Sequence, residues 1–116
     1  MKKQEIKKAY EQKREAQRKA MTEDFELRLK QFSELKVKHP DAVLLFRVGD
    51  FYEAYAEDAK ACTDALPHLT LTKRKKSDGR EISLTGFPHY SLDMYLPKIV
   101  RFGKRVAICE QLENPN

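Results

Sequence analysis

The sequence predicts a single α/β domain, a mixed β-sheet of about five strands flanked by helices and preceded by a basic N-terminal helix. Three observations predict it. β-type runs such as Ala42 to Val48 and Arg105 to Cys109 alternate with segments of helical periodicity. The spacings between runs include both hairpin and crossover lengths, which mixes strand directions. The chain has 116 residues, room for one core of ordinary size and not for two.

The elements follow in order. Lys2 to Lys19 alternates Lys, Arg, Glu and Gln with few apolar residues beyond Ile6 and Tyr10, so helix propensity is good and a buried face is weak. From Thr22 the pattern strengthens. Thr22 is a capping type, Glu23 and Asp24 suit a helix start, and Phe25, Leu29, Phe32 and Leu35 recur at spacings of four and three. His39 and Pro40 end this amphipathic helix, because the residue before proline disfavours helical geometry. Ala42 to Val48, the turn formers Gly49 and Asp50, and Phe51 to Tyr55 read as a β-hairpin. Ala56 to Leu66 reads as a short helix closed by Pro67. Leu69 to Thr72 and Glu81 to Thr85 are expected strands, joined by a basic loop from Lys73 to Arg80. Gly86, Phe87 and Pro88 are expected to turn the chain into a helix capped by Ser91, with the stripe Leu92, Tyr95, Leu96, Ile99 and Val100 and its end at Gly103. Pro97 within that stripe removes a helical hydrogen bond, so a kink or a late start is expected there.

Charge and composition exclude several classes of function. Residues 1 to 38 hold 12 Lys and Arg against 7 Asp and Glu, whereas residues 39 to 116 hold 11 against 11. The whole excess of +5 therefore lies in the first third, a basic arm on a neutral body that favours a polyanionic partner, nucleic acid first. The longest apolar runs, Ala42 to Phe46 and Val106 to Cys109, fall far short of the roughly 20 residues that span a bilayer. Two cysteines, Cys62 and Cys109, and no signal-like stretch point to a reducing cytoplasm and to small buried thiols. His39, His68 and His89 show no metal-ligand spacing with them, and no nucleophile sits in a recognisable elbow, so neither metal, cofactor nor catalytic residue is expected. Pro40, Asp41, Asp58 and Lys60 imitate a metal-dependent nuclease, but Asp58 and Lys60 fall on a predicted helix, the wrong geometry for that chemistry.

Phe51 and Glu53 stand two apart on a presumed strand and leave the same face, with Tyr52 and Ala54 on the other. On burial statistics alone Phe51 would pack into the core and Glu53 would be solvated. The run from Leu44 to Glu53, with Asp58, Ala59 and Lys60, then Leu71 to Arg74, Gly86 and Pro88, and Val106 to Gln111, resembles the N-terminal mismatch-recognition domain of the MutS family of DNA mismatch repair proteins. The resemblance divides the chain into a basic extension, 1–24, and the domain itself, 25–116. It implies that Phe51 is a wedge stacking on a mispaired base from the minor groove and that Glu53 hydrogen-bonds that base, in duplex DNA with a mismatch or unpaired base. Lys73, Arg74, Lys75, Lys76 and Arg80 are the natural phosphate contacts.

The sequence departs from the family pattern in three ways. His89 follows Pro88 at once, where the family has one residue between, so the role of that histidine does not carry over. Pro97 replaces an ordinary helix residue, and the segments that follow the domain in MutS are absent from this sequence. None of Gly49, Gly79, Gly86 and Gly103 starts a Gly-x-x-x-x-Gly-Lys loop, and the chain is not expected to be an ATPase or any other enzyme. The competing expectation is an adaptor whose charged N-terminal helix docks on a protein partner or self-associates. The two differ in whether Phe51 is exposed and shares a surface with Lys73 to Arg80.

Overall fold

A computed structural model describes residues 3–110, with the side chains of residue 9 and residues 11–110. The order is α1 (Lys3–Lys38), β1 (Ala42–Val48), β2 (Phe51–Tyr55), α2 (Ala56–Ala65), β3 (Thr72–Lys75), β4 (Glu81–Pro88), α3 (Leu92–Arg101) and β5 (Arg105–Cys109). One mixed sheet carries the strands in the order β3-β4-β2-β1-β5, parallel only between β1 and β5. The expected matches at Gln111 and the tail Glu113 to Asn116 lie outside the described residues, as do the side chains of Ile6 and Tyr10.

β1 is apolar at every core position because it is covered on both faces. Val43 and Leu45 join Tyr52, Ala54, Phe87 and the α2–α3 side chains Ala59, Cys62 and Ile99 in one core. Ala42, Leu44 and Phe46 join Tyr55 beneath Phe25 and Leu29 of α1 in the other. A part-buried ion pair ties the layers together. Asp58, in the first turn of α2, accepts hydrogen bonds from Lys36 Nζ (2.7 Å) and from the Leu44 backbone N–H (3.0 Å), while Lys36 also donates to the Ala42 carbonyl (2.6 Å).

Four details differ from the sequence reading. The first two segments form one helix, because Thr22 sits inside it and donates to the Arg18 carbonyl one turn back (2.9 Å) instead of capping. Strand β3 starts at Thr72, so Lys73, Arg74 and Lys75 belong to a strand and only Lys76 to Arg80 form the loop. Gly86, Phe87 and Pro88 extend β4 rather than turning it, pairing with Glu53, Tyr52 and Phe51. At α3, Ser91 is already helical and makes no side-chain cap; a 3₁₀ turn over His89–Ser91 leads in, the helix runs through Pro97, and Val100 is exposed. Gly103 does end it, at φ +91° with its N–H on the Val100 carbonyl (3.0 Å). Among the described residues no helix is long and apolar enough to cross a membrane.

Candidate nucleic-acid interface

Phe51 is the first residue after a two-residue hairpin turn. The register pairs Val48 with Phe51, and φ is positive at Gly49 (+59°) but not at Asp50, the pattern of a type II′ turn that glycine adopts without strain. The Asp50 carbonyl is fixed from outside by the His89 N–H (2.8 Å), and Arg47 Nε donates to the Gly49 carbonyl (2.6 Å). On the α1 side of β2, exposure rises along the strand from Tyr55, fully buried, through half-buried Glu53 to Phe51 at 50%. Tyr52 and Ala54 point to the opposite core. The burial that statistics favour for Phe51 is therefore not realised, since α1 covers this face only as far as Glu53.

Glu53 is held rather than solvated. Its Oε1 accepts the Tyr55 hydroxyl proton at 2.9 Å and stands 3.8 Å from the Arg28 guanidinium, whose Nε–H donates to the Tyr55 oxygen at 3.0 Å. Burial first, and then the neighbouring Glu53 charge, raise the Tyr55 pKa well above the ordinary phenol value, so the hydroxyl remains a proton donor. Across the sheet, Gly86 faces Glu53. A Cβ there would lie 3.1 Å from the Tyr52 carbonyl oxygen and 3.6 Å from Glu53 Cγ, so the missing side chain keeps the surface beside Glu53 open.

The basic residues lie at the far end of β4. Lys73 pairs with Ser83, Lys75 with Glu81 and Phe51 with Pro88, so about 17 to 23 Å of β4 at strand rise separates the basic strand residues from Phe51. Lys73, Lys75 and Arg80 are exposed, while Arg74 and Lys76 are half-buried. Arg74 lies over the Phe25 ring, 4.1 Å from its centroid, and Lys76 and Arg80 flank Asp78 at 3.7 and 2.9 Å. The Arg80 backbone N–H and side chain together hold the Asp78 carboxyl below its ordinary pKa. Lys73 reaches Glu81 at 4.0 Å. The structure thus brings Phe51 and Glu53 together and does not bring the five cations beside them.

The chain matches the family "MutS domain I" over residues 28–116. It belongs to that family. The DNA mismatch repair protein MutS of Bacteroides thetaiotaomicron is 60% identical over 87 residues, those of Bacteroides fragilis and Flavobacterium johnsoniae 59% and 56% over the same length. In each case the match covers 75% of this chain and 10% of the relative, so the chain spans about a tenth of the length of these MutS proteins.

Within this MutS domain I, the Asp-Ala-Lys segment is structural. Both Asp58 oxygens are occupied by donors and the residue is 3% exposed, which leaves no carboxylate free for a nuclease metal. His68 is hydrogen-bonded to the Tyr95 hydroxyl (2.9 Å), and Asp41 pairs with Arg105 (3.3 Å). Among the described residues no three His, Cys, Asp or Glu side chains stand where they could hold a metal ion. Burial pushes the Cys62 thiol up to about 12. Sequence reasoning missed Arg28, Tyr55 and Gly86 around Glu53. One signal was available: Arg28 falls on the apolar stripe of α1, three residues after Phe25 and four before Phe32, where a cation needs a partner across the interface.

Proposed function

We propose that this domain recognises mismatched or unpaired bases in duplex DNA as part of mismatch repair in the cytoplasm, with Phe51 as the wedge and Glu53 as the base contact. The observation that carries the reading is a half-exposed phenylalanine on a clamped hairpin, on the same strand face as a carboxylate already held in one orientation. Leaving so large an apolar ring half in water forgoes burial energy that an ordinary core position would realise. Inserted between bases, the ring regains it. Unstacking and kinking the duplex costs a few kcal/mol, less where pairing is already defective, so defective sites are favoured by their deformability. Glu53 adds discrimination. A carboxylate gains a hydrogen bond from a displaced base able to offer it a donor and gains none from a well-paired one.

Lys73, Arg74, Lys75, Lys76 and Arg80 supply sequence-independent phosphate contacts at the other end of β4, so the duplex they touch extends well past the wedge. Residues 1–24 act as a basic extension on the recognition domain of 25–116, and recognition itself is assigned to these residues without a nucleotide-binding role. A second reading, an adaptor docking a protein through α1 or pairing with a second copy, draws on one observation: Met21 and Leu27 on this helix are 62% and 55% exposed.

The test is fluorescence-anisotropy binding to a duplex with one G·T mismatch or unpaired T and to its fully paired twin, at 50 and 200 mM salt. Tighter binding to the defective duplex, lost in Phe51→Ala, supports recognition. Equal, salt-sensitive binding unaffected by Phe51→Ala reduces the domain to a basic surface, and no binding at either salt favours the adaptor.

A further inference from the structure

We propose that Arg28 and Tyr55 are positioning residues for Glu53, setting which carboxylate oxygen meets a displaced base and thereby the degree of mismatch discrimination; this rests on the reading of Glu53 as the base contact. The three groups form a directed chain. Arg28 Nε–H donates to the Tyr55 oxygen (3.0 Å), which leaves the Tyr55 proton for Glu53 Oε1 (2.9 Å). The ring that carries this hydroxyl is immobilised. Tyr55 is fully buried, edge-on to Phe25 and Phe32 at 6.0 Å each and tilted against Phe46 at 5.5 Å.

Two consequences follow for recognition. First, Oε1 is committed to the protein, so Oε2 is the oxygen presented at the surface that Gly86 keeps open. A glutamate is rich in rotamers, and fixing it before DNA arrives removes an ordering cost from the bound state. Secondly, the guanidinium 3.8 Å from Oε1 offsets the carboxylate charge that would otherwise repel phosphate at every site, paired or not. Arg28 and Glu53 are only 13% and 21% exposed at their side chains, so solvent screens this pair less than an ordinary surface pair.

The experiment measures the ratio of affinities for a G·T duplex and its paired twin, in which sequence-independent phosphate binding cancels. Tyr55→Phe keeps the packed ring and removes only the hydroxyl; Arg28→Met keeps the stem and removes the charge. Each is expected to lower the ratio about fivefold, of the order of one net hydrogen bond. The decisive readout is the same substitution in a Glu53→Ala background, where Tyr55→Phe is expected to change the ratio no further. A merely structural role would lower the ratio equally in both backgrounds and overturn the proposal. If Glu53→Ala abolishes discrimination while Tyr55→Phe and Arg28→Met leave it intact, the positioning role alone fails. If Glu53→Ala itself leaves the ratio intact, the base-contact reading fails with it. Circular dichroism melting of each variant separates loss of fold from loss of discrimination, and Arg28→Met, whose methionine stem keeps the apolar contact of this largely covered position, carries the test if Tyr55→Phe does not fold.

Discussion

Asp58→Ala is expected to destabilise the domain by about 3 kcal/mol. Asp58 is 3% exposed and accepts from Lys36 Nζ at 2.7 Å and from the Leu44 N–H at 3.0 Å, at the point where α2 meets the central strand. Removing it strands a buried backbone donor, a loss of about 1–3 kcal/mol, and leaves a cation without its counter-charge. Breaking a buried pair from one side costs about 3–5 kcal/mol, and the lower end applies here. Lys36 is 24% exposed at its side chain and keeps its bond to the Ala42 carbonyl, so part of its charge is relieved by water and by that oxygen. Asp58→Asn, which retains an acceptor for Leu44, is expected to lose about half as much. Against a total stability of about 5–15 kcal/mol this is a large fraction, equivalent to roughly 12 °C in Tm. Urea denaturation followed by circular dichroism reads it directly. A loss below about 1 kcal/mol in Asp58→Ala would refute the reasoning that Asp58 is the tie between α1, β1 and α2.

Three further outcomes are expected. Ala56, the first residue of α2 directly after β2, has φ +53°, a left-handed conformation costing a side-chain-bearing residue about 1–2 kcal/mol. Allowing for the added freedom of the unfolded chain, Ala56→Gly is expected to raise stability by about 0.5–1 kcal/mol in the same urea titration, and any loss contradicts it. The Cys62 thiol, raised from 9.0 to about 12 by burial, and Tyr55, raised likewise, have folded values above their unfolded ones, so their contribution is complete below pH 9 and is lost as pH rises above it. The urea midpoint is therefore expected to fall between pH 9 and 10.5 and the native Cys62 to resist Ellman's reagent at pH 8; a flat midpoint or a fast-reacting Cys62 would count against this burial. If four of the hairpin cations meet phosphate, affinity for DNA is expected to fall about 150-fold between 50 and 200 mM salt. Replacing exposed Lys73 and Lys75 by Gln is then expected to reduce that to about 12-fold, and an unchanged salt slope would remove them from the interface.

The parts of the fold legible in the sequence are those set by local chemistry. Gly49 and Asp50 between two apolar runs specify the hairpin because a two-residue turn needs positive φ, and Phe25, Leu29 and Phe32 specify the buried stripe of α1 by spacing alone. Where partners are distant in sequence, the reading failed. Lys73 to Lys75 read as loop because their charge outweighs strand propensity, yet pairing with Glu81 to Ser83 gives them a strand. Gly86 and Pro88 read as turn formers, yet Gly86 sits in β4, where a side chain would crowd the Tyr52 carbonyl of the neighbouring strand, and Pro88 ends the strand where a missing donor costs little. At the site, the candidacy of Phe51 and Glu53 came from the family resemblance, while their shared face was legible from a two-residue period. Their environment was not: Arg28 lies 27 residues from Tyr55, and only the packing of α1 across the sheet brings it to the carboxylate.

The central claim is that Phe51 enters the base stack at a defective pair. A duplex carrying 2-aminopurine beside a G·T mismatch reports this directly, because its fluorescence rises when the base is unstacked. The account predicts a rise on binding that is absent from the paired duplex and absent with Phe51→Ala at saturating protein. A rise of equal size with Phe51→Ala, or saturated binding with no rise at all, would contradict it.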